Sequence, residues 1–174
     1  MKKPTASNKT TLFIIIISLS LIITTILTSI TYTSSGISSV FAVQQKFIAQ
    51  LFGNEQVPPV QTSAAGMASF KPVQDNLWFE VDVTDMKGIT VVHIHSGKQG
   101  QNGPPIVTLY KGDTPSQQVH GLIAQGSFNS DTFHGPIVGK SLSDLITAIE
   151  NGETYVDIHT QQNPDGELRG QIMM

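Results

Sequence analysis

Val91-Val92-His93-Ile94-His95-Ser96-Gly97 reads as a β-strand that ends in a turn. Successive side chains on a strand point to opposite faces, so His93 and His95 share one face while Val92 and Ile94 share the other. The same alternation returns in Tyr155-Val156-Asp157-Ile158-His159-Thr160, where Val156 and Ile158 take the apolar face and Asp157 and His159 the polar one. Aligned on their last histidine, the two segments match Val92 with Val156, Ile94 with Ile158 and His95 with His159. Placed side by side in one sheet, they bring three histidines and a carboxylate together.

The strands around this pair follow the same period of two. Residues 44–51 alternate with Phe47, Ala49 and Leu51 on one face. Residues 66–70 form a short strand stopped by Pro72 and the turn-forming Gln74-Asp75-Asn76. Leu77, Phe79, Val81 and Val83 then alternate with Trp78, Glu80, Asp82 and Thr84, one face core and one solvent. Residues 106–110, 119–125 and 127–133 supply further short strands. Between them, Val57-Pro58-Pro59-Val60 is loop or edge, because proline lacks a ladder donor. Gly97, Gly100, Gly103, Pro104 and Pro105 make a long mobile loop beside the histidine face, a place where sites sit.

The period changes once. Leu142, Leu145, Ile146 and Ile149 are spaced i, i+3, i+4, i+7, which predicts one short amphipathic helix over residues 141–150, with Ser141 or Ser143 as N-cap and Gly152 just past its end. The final pair of strands, 154–159 and 167–173, is joined by Asn163-Pro164-Asp165-Gly166, whose turn chemistry favours a hairpin. Many short strands with one late helix predict an all-β fold, an antiparallel Greek-key or immunoglobulin-like β-sandwich or barrel.

The N-terminus carries Lys2, Lys3 and Lys9 and then an uncharged apolar run over residues 11–30. Residues 1–42 read either as a cleaved signal peptide ending in Val40-Phe41-Ala42, or as an uncleaved membrane anchor with about the 20 apolar residues a bilayer needs. Either way the β domain, residues 43–174, lies outside the cytoplasm, because the basic residues precede the apolar run. That domain carries seven basic residues against thirteen acidic ones. Scattered negative charge with a single arginine excludes nucleic acid as a partner, so an extracellular protein or surface ligand is expected, with membrane contact only through an uncleaved N-terminal segment. The 174 residues include no cysteine. Disulfides, thiolate ligands and cysteine nucleophiles are therefore absent, and a metal site must use histidine, carboxylate or backbone oxygen.

His93, His95, His159 and Asp157 are the candidate metal ligands. Imidazole is the commonest nitrogen ligand, and three of them suit copper or zinc, with Asp157 as fourth ligand or as an orienting neighbour. The alternative is a hydrogen-bonded cluster on the sheet with Glu167 and Arg169 as neighbours. Glu167 and Arg169 share a face of the last strand and are expected to form an ion pair. His120 and His134 each stand beside glycine and are expected at the surface. Ser96 and Thr160 each follow a histidine directly, but adjacent strand residues face opposite ways, which argues against a nucleophile and base pair.

Taken together, Leu51-Phe52-Gly53-Asn54-Glu55-Gln56-Val57-Pro58-Pro59-Val60, His93-Ile94-His95-Ser96-Gly97, Asn102-Gly103-Pro104, Gly135-Pro136, Tyr155-Val156-Asp157-Ile158-His159-Thr160 and Asn163-Pro164-Asp165-Gly166-Glu167-Leu168-Arg169-Gly170-Gln171-Ile172 resemble the CHRD domain, a module first named from the extracellular protein chordin. The resemblance implies an immunoglobulin-like or Greek-key β fold, an extracytoplasmic location and a role as a binding or interaction module. It implies no particular catalytic activity. Asp157 stands where members of the family commonly carry asparagine. The His-x-His strand is also similar, over a few residues, to the copper-binding strand of copper/zinc superoxide dismutases, which implies a copper-dependent redox protein as the alternative function; the disulfide cysteines and zinc-loop ligands of those enzymes have no counterpart here.

Overall fold

The structure, a computed structural model, describes residues 45–112 and 117–174. The expected signal peptide or anchor lies outside the described residues. Among the described residues no helix is long and apolar enough to cross a membrane.

Eight strands form one antiparallel sheet: β1 (Phe47–Phe52), β2 (Ala65–Val73), β3 (Asn76–Met86), β4 (Ile89–Ser96), β5 (Pro105–Lys111), β6 (Val119–Phe128), β7 (Thr154–Thr160) and β8 (Leu168–Gln171). Their order across the sheet is β5-β4-β7-β8-β1-β2-β3-β6, and the two outermost strands, β5 and β6, approach each other so that the sheet nearly closes into a barrel. Closure hides most of the unpaired edge that an open sheet would expose.

The inward residues are those that the alternation assigns. Phe47, Ala49 and Leu51 of β1, Leu77, Phe79, Val81 and Val83 of β3, Val92 and Ile94 of β4, and Val156 and Ile158 of β7 are all buried in one core. Pro72 does not stop β2, which continues to Val73 and pairs Pro72 with Leu77 of β3. The register with β1 ends at Phe47 opposite Phe70, so Pro72 lies where β2 has no partner on its other side.

The strand expected over residues 127–133 is replaced. β6 runs on to Phe128, and Ser130–Thr132 and Gly135–Ile137 are short 3-10 turns. Asn129 starts the first of them by accepting a hydrogen bond from the Asp131 amide with its own side chain. Such local side-chain bonding competes with a sheet ladder.

The single helix, α1 (Leu142–Glu150), starts at Ser141. Ser141 Oγ accepts from the Asp144 amide, and the Asp144 carboxylate accepts from the Ser141 amide, a reciprocal capping box. Leu145 and Ile149 enter the core. β7 and β8 form the expected hairpin, with Gly166 N–H donating to Asn163 O at 3.1 Å across the turn.

Candidate functional site

β4 and β7 are neighbours, and their register sets His93 opposite Asp157, His95 opposite Tyr155 and Val91 opposite His159. With Val92, Ile94, Val156 and Ile158 turned inward, the outward faces present His93 and His95 on one strand and Tyr155, Asp157 and His159 on the next. Ring centroids lie 5.5 Å apart for His93 and His95, 5.5 Å for His93 and His159, and 5.8 Å for His95 and His159. One nitrogen from each of these three histidines falls within 4.8 Å of the other two.

This outward face is not open surface. His95 is 8 % exposed, Asp157 4 % and Arg169 2 %. Residues 97–104, expected as a mobile loop, fold over it and are tied down. Arg169 of β8 donates to Asn102 Oδ1 at 2.9 Å, Lys98 O at 3.1 Å and Gln101 O at 2.8 Å. Gln171 Nε2 donates to Gly97 O at 3.0 Å, and Gly103 N–H donates to Tyr155 Oη at 3.1 Å. Gly103 itself has no room for a side chain, since a Cβ would stand 1.6 Å from Ser96 O.

The loops also set the histidine tautomers. His95 Nδ1 lies 2.8 Å from Gly103 O, and His159 Nδ1 lies 2.9 Å from Pro164 O. A carbonyl can only accept, so both Nδ1 atoms carry the proton and both Nε2 atoms present a lone pair. Both Nε2 atoms are buried and neither has a hydrogen-bond donor. Buried acceptors without a donor are rare in folded proteins and are costly. His93 makes no hydrogen bond among the described residues.

Burial is the main force holding the His93 and His95 imidazoles down at about 4, and the neighbouring histidines push the same way, while the Gly103 carbonyl opposes it at His95. Asp157 is pushed up by burial, against the pull of His159, Gln56 and Arg169. The unfolded imidazole value is 6.5, so between pH 6.5 and about 4 the unfolded chain takes up protons that folded His93 and His95 refuse. Stability of the metal-free domain is therefore full above pH 6.5 and is expected to fall as pH is lowered toward 4. His93→Gln should flatten that slope in thermal melts; equal slopes for the two proteins would remove this explanation.

Asp157 stands beside the three imidazoles rather than among them. Its Oδ1 accepts from Gln56 Nε2 at 2.7 Å and lies 4.0 Å from His159 Nε2. Gly166, at φ 124°, packs against the same carboxylate, where a Cβ would stand 2.5 Å from Oδ1. The expected ion pair between Glu167 and Arg169 does not form. Glu167 instead accepts from Thr62 at 2.8 Å, Thr160 at 2.7 Å and Asn163 at 3.0 Å, which locks the β7–β8 turn. Arg169 lies against Tyr155, its guanidinium carbon 3.6 Å from the ring centroid.

Of the two histidines expected at the surface, His120 is exposed and lies beside Asp85, with Nε2 3.6 Å from Oδ1. His134 is half-buried beside the site, its ring 6.1 Å from that of His93. Spacing could not place it there, because its approach depends on how the 3-10 turns after β6 cross β5.

An antiparallel β-barrel whose outer face carries a loop-covered polar cluster is the class that these features define. A family model described as the CHRD domain matches residues 47–172, and the chain belongs to that family. It is similar to chordin of Xenopus laevis, at 28 % identity over 145 residues that cover 78 % of this chain. The chain spans 14 % of the length of that relative. No solved structure matches the chain.

Proposed function

We propose that the chain is an extracytoplasmic CHRD module that binds one copper or zinc ion through the Nε2 atoms of His95 and His159 together with His93. The observation that carries this reading is the pair of buried Nε2 lone pairs with no donor, both fixed by Nδ1–H bonds to backbone carbonyls. Metal-bound histidine commonly donates its other ring nitrogen to a carbonyl in this way.

The spacing supports it. With a metal–nitrogen bond of about 2.0 to 2.1 Å, the centroids of two ligating imidazoles stand between about 5 Å (tetrahedral) and about 6 Å (opposed) from each other. The three distances of 5.5, 5.5 and 5.8 Å fall inside that window. Asp157 would place negative charge beside the ion without displacing an imidazole. The extracytoplasmic location rests on the basic-then-apolar N-terminus, and the role of an interaction module, toward an extracellular protein or surface ligand, rests on membership of the CHRD family.

The test is metal content of the purified exported protein after exposure to micromolar Cu(II) or Zn(II), followed by dialysis. One ion per chain is the expected result. Absence of stoichiometric metal would sink the reading, and superoxide dismutation by the loaded protein would extend it to redox chemistry.

A further inference from the structure

We propose that His134 is the fourth ligand of this ion, so that the segment between β6 and α1 closes the site. The inference rests on the metal-binding reading above and deepens it.

Three features of the backbone bring His134 to this place. Its amide donates to Ile106 O at 3.0 Å. The next residue, Gly135, has φ 63° and sits so close to β5 that a Cβ would stand 2.8 Å from Pro105 O. Thr108, two residues beyond Ile106, is the register partner of His93. The segment is thus clipped to β5 at the level of His93, and the His134 ring stands edge-on to His93 with centroids 6.1 Å apart and planes at 74°. That separation is just beyond the about 5 to 6 Å of two imidazoles on one ion, and His134 lies outside the group of three whose nitrogens fall within 4.8 Å of one another, so its ring must swing inward to ligate.

What holds His134 in place is weak and interchangeable. Its Nε2 meets only Thr108 Oγ1, at 3.2 Å near the surface. A hydroxyl rotates and bonds water equally well, so exchanging it for a metal bond costs little. Four-coordinate copper or zinc needs one donor beyond the three imidazoles. Asp157 is the other claimant, but the Gln56 amide occupies its Oδ1 and Gly166 packs against both of its oxygens. His134 has neither restraint. The resulting donor set is four neutral nitrogens, which keeps the full charge of the ion and suits Cu(II) or Zn(II) over magnesium or calcium.

The experiment uses full-length exported protein loaded with one equivalent of Cu(II). Nitrogen superhyperfine structure in the electron paramagnetic resonance spectrum counts the imidazoles, and competition with a chelator gives affinity. Wild type is expected to show four nitrogens. His134→Ala and His134→Gln should show three and bind at least about tenfold more weakly. Thr108→Val frees His134 from its hydroxyl partner and should keep four nitrogens with affinity unchanged or higher, which a merely structural Thr108–His134 bond would not do. Three nitrogens in wild type, or affinity unaltered in both His134 variants, overturns the proposal and leaves three-histidine binding intact. No copper in wild type removes the metal reading and this one with it.

Discussion

His159→Ala is expected to weaken Cu(II) or Zn(II) binding by more than about 100-fold, a larger effect than the 10- to 100-fold typical for losing an outer partner of a metal ligand. The Nε2 of His159 is one of two buried ring nitrogens without a donor, the other being that of His95 on the neighbouring strand. Its removal takes away one of the two imidazoles that backbone carbonyls fix in the ligating tautomer, leaving His95 with the less firmly held His93 and His134 to hold an ion against water at micromolar supply. The cost to the fold should be small or negative, because the substitution also removes a buried acceptor that has no donor. Metal affinity and stability should thus move in opposite directions. A hydrogen-bonded structural cluster would behave otherwise: His159→Ala would then lower the melting temperature and leave metal binding, if any, unchanged. Isothermal titration of wild type and variant, paired with thermal melts of both metal-free proteins, separates the two.

The second large effect is expected at Arg169. This side chain is 2 % exposed and has no carboxylate within ion-pair distance among the described residues. Its charge is accommodated by two backbone carbonyls, the Asn102 side chain and the face of Tyr155. Hydrogen bonds to a charged donor and a desolvated cation–π contact are among the stronger single interactions in a protein interior. Arg169→Met keeps the apolar stem but strands three acceptors, and the loss is expected to be about 3 to 5 kcal/mol. The melting temperature should fall by about 10 °C or more. Arg169→Lys should recover only part, since an ammonium cannot reach three divergent acceptors as a planar fork does. A fall of only a few degrees for the methionine variant would mean that residues 97–104 hold their position by other means.

The Arg169 variants should also weaken metal binding. Residues 97–104 supply Gly103 O, which fixes the His95 tautomer. Once the loop loosens, the Nδ1 proton of His95 is no longer held in place, and the Nε2 lone pair is no longer guaranteed. This indirect loss should be smaller than that of His159→Ala.

Much of the molecule could be read before any contact was known. Alternation in β3 sorted Leu77, Phe79, Val81 and Val83 from their polar neighbours, and all four are core. The change of period at Leu142 located the helix, and Asn163-Pro164-Asp165-Gly166 located the last hairpin. These are local properties, set by backbone geometry and the 2.0 and 3.6 periods. Pro72 and residues 127–133 depart from the alternation for different reasons. Pro72 is tolerated because β1 leaves that side of β2 unpaired, which only the fold decides, whereas the chain turns after Phe128 because the Asn129 side chain bonds the Asp131 amide in place of a ladder.

The candidate site divides in the same way. By itself, the sequence determined that His93 and His95 share a face, that Asp157 and His159 share a face, and that both faces lie opposite apolar ones, because side-chain direction on a strand follows from residue parity alone. Only the tertiary structure decided that β4 and β7 are neighbours, so that the faces become one. It also decided that loops cover the cluster, that Arg169 binds the loop carbonyls and not Glu167, that Gly103 and Pro164 carbonyls fix two imidazole tautomers, and that His134 arrives beside His93. Apart from the bonds that Gly103 and Pro164 make to His95 and His159, eight and five residues away, these contacts join residues well apart in the chain. No periodicity carries that information, since the energy of a buried polar contact is set by what the fold brings against it.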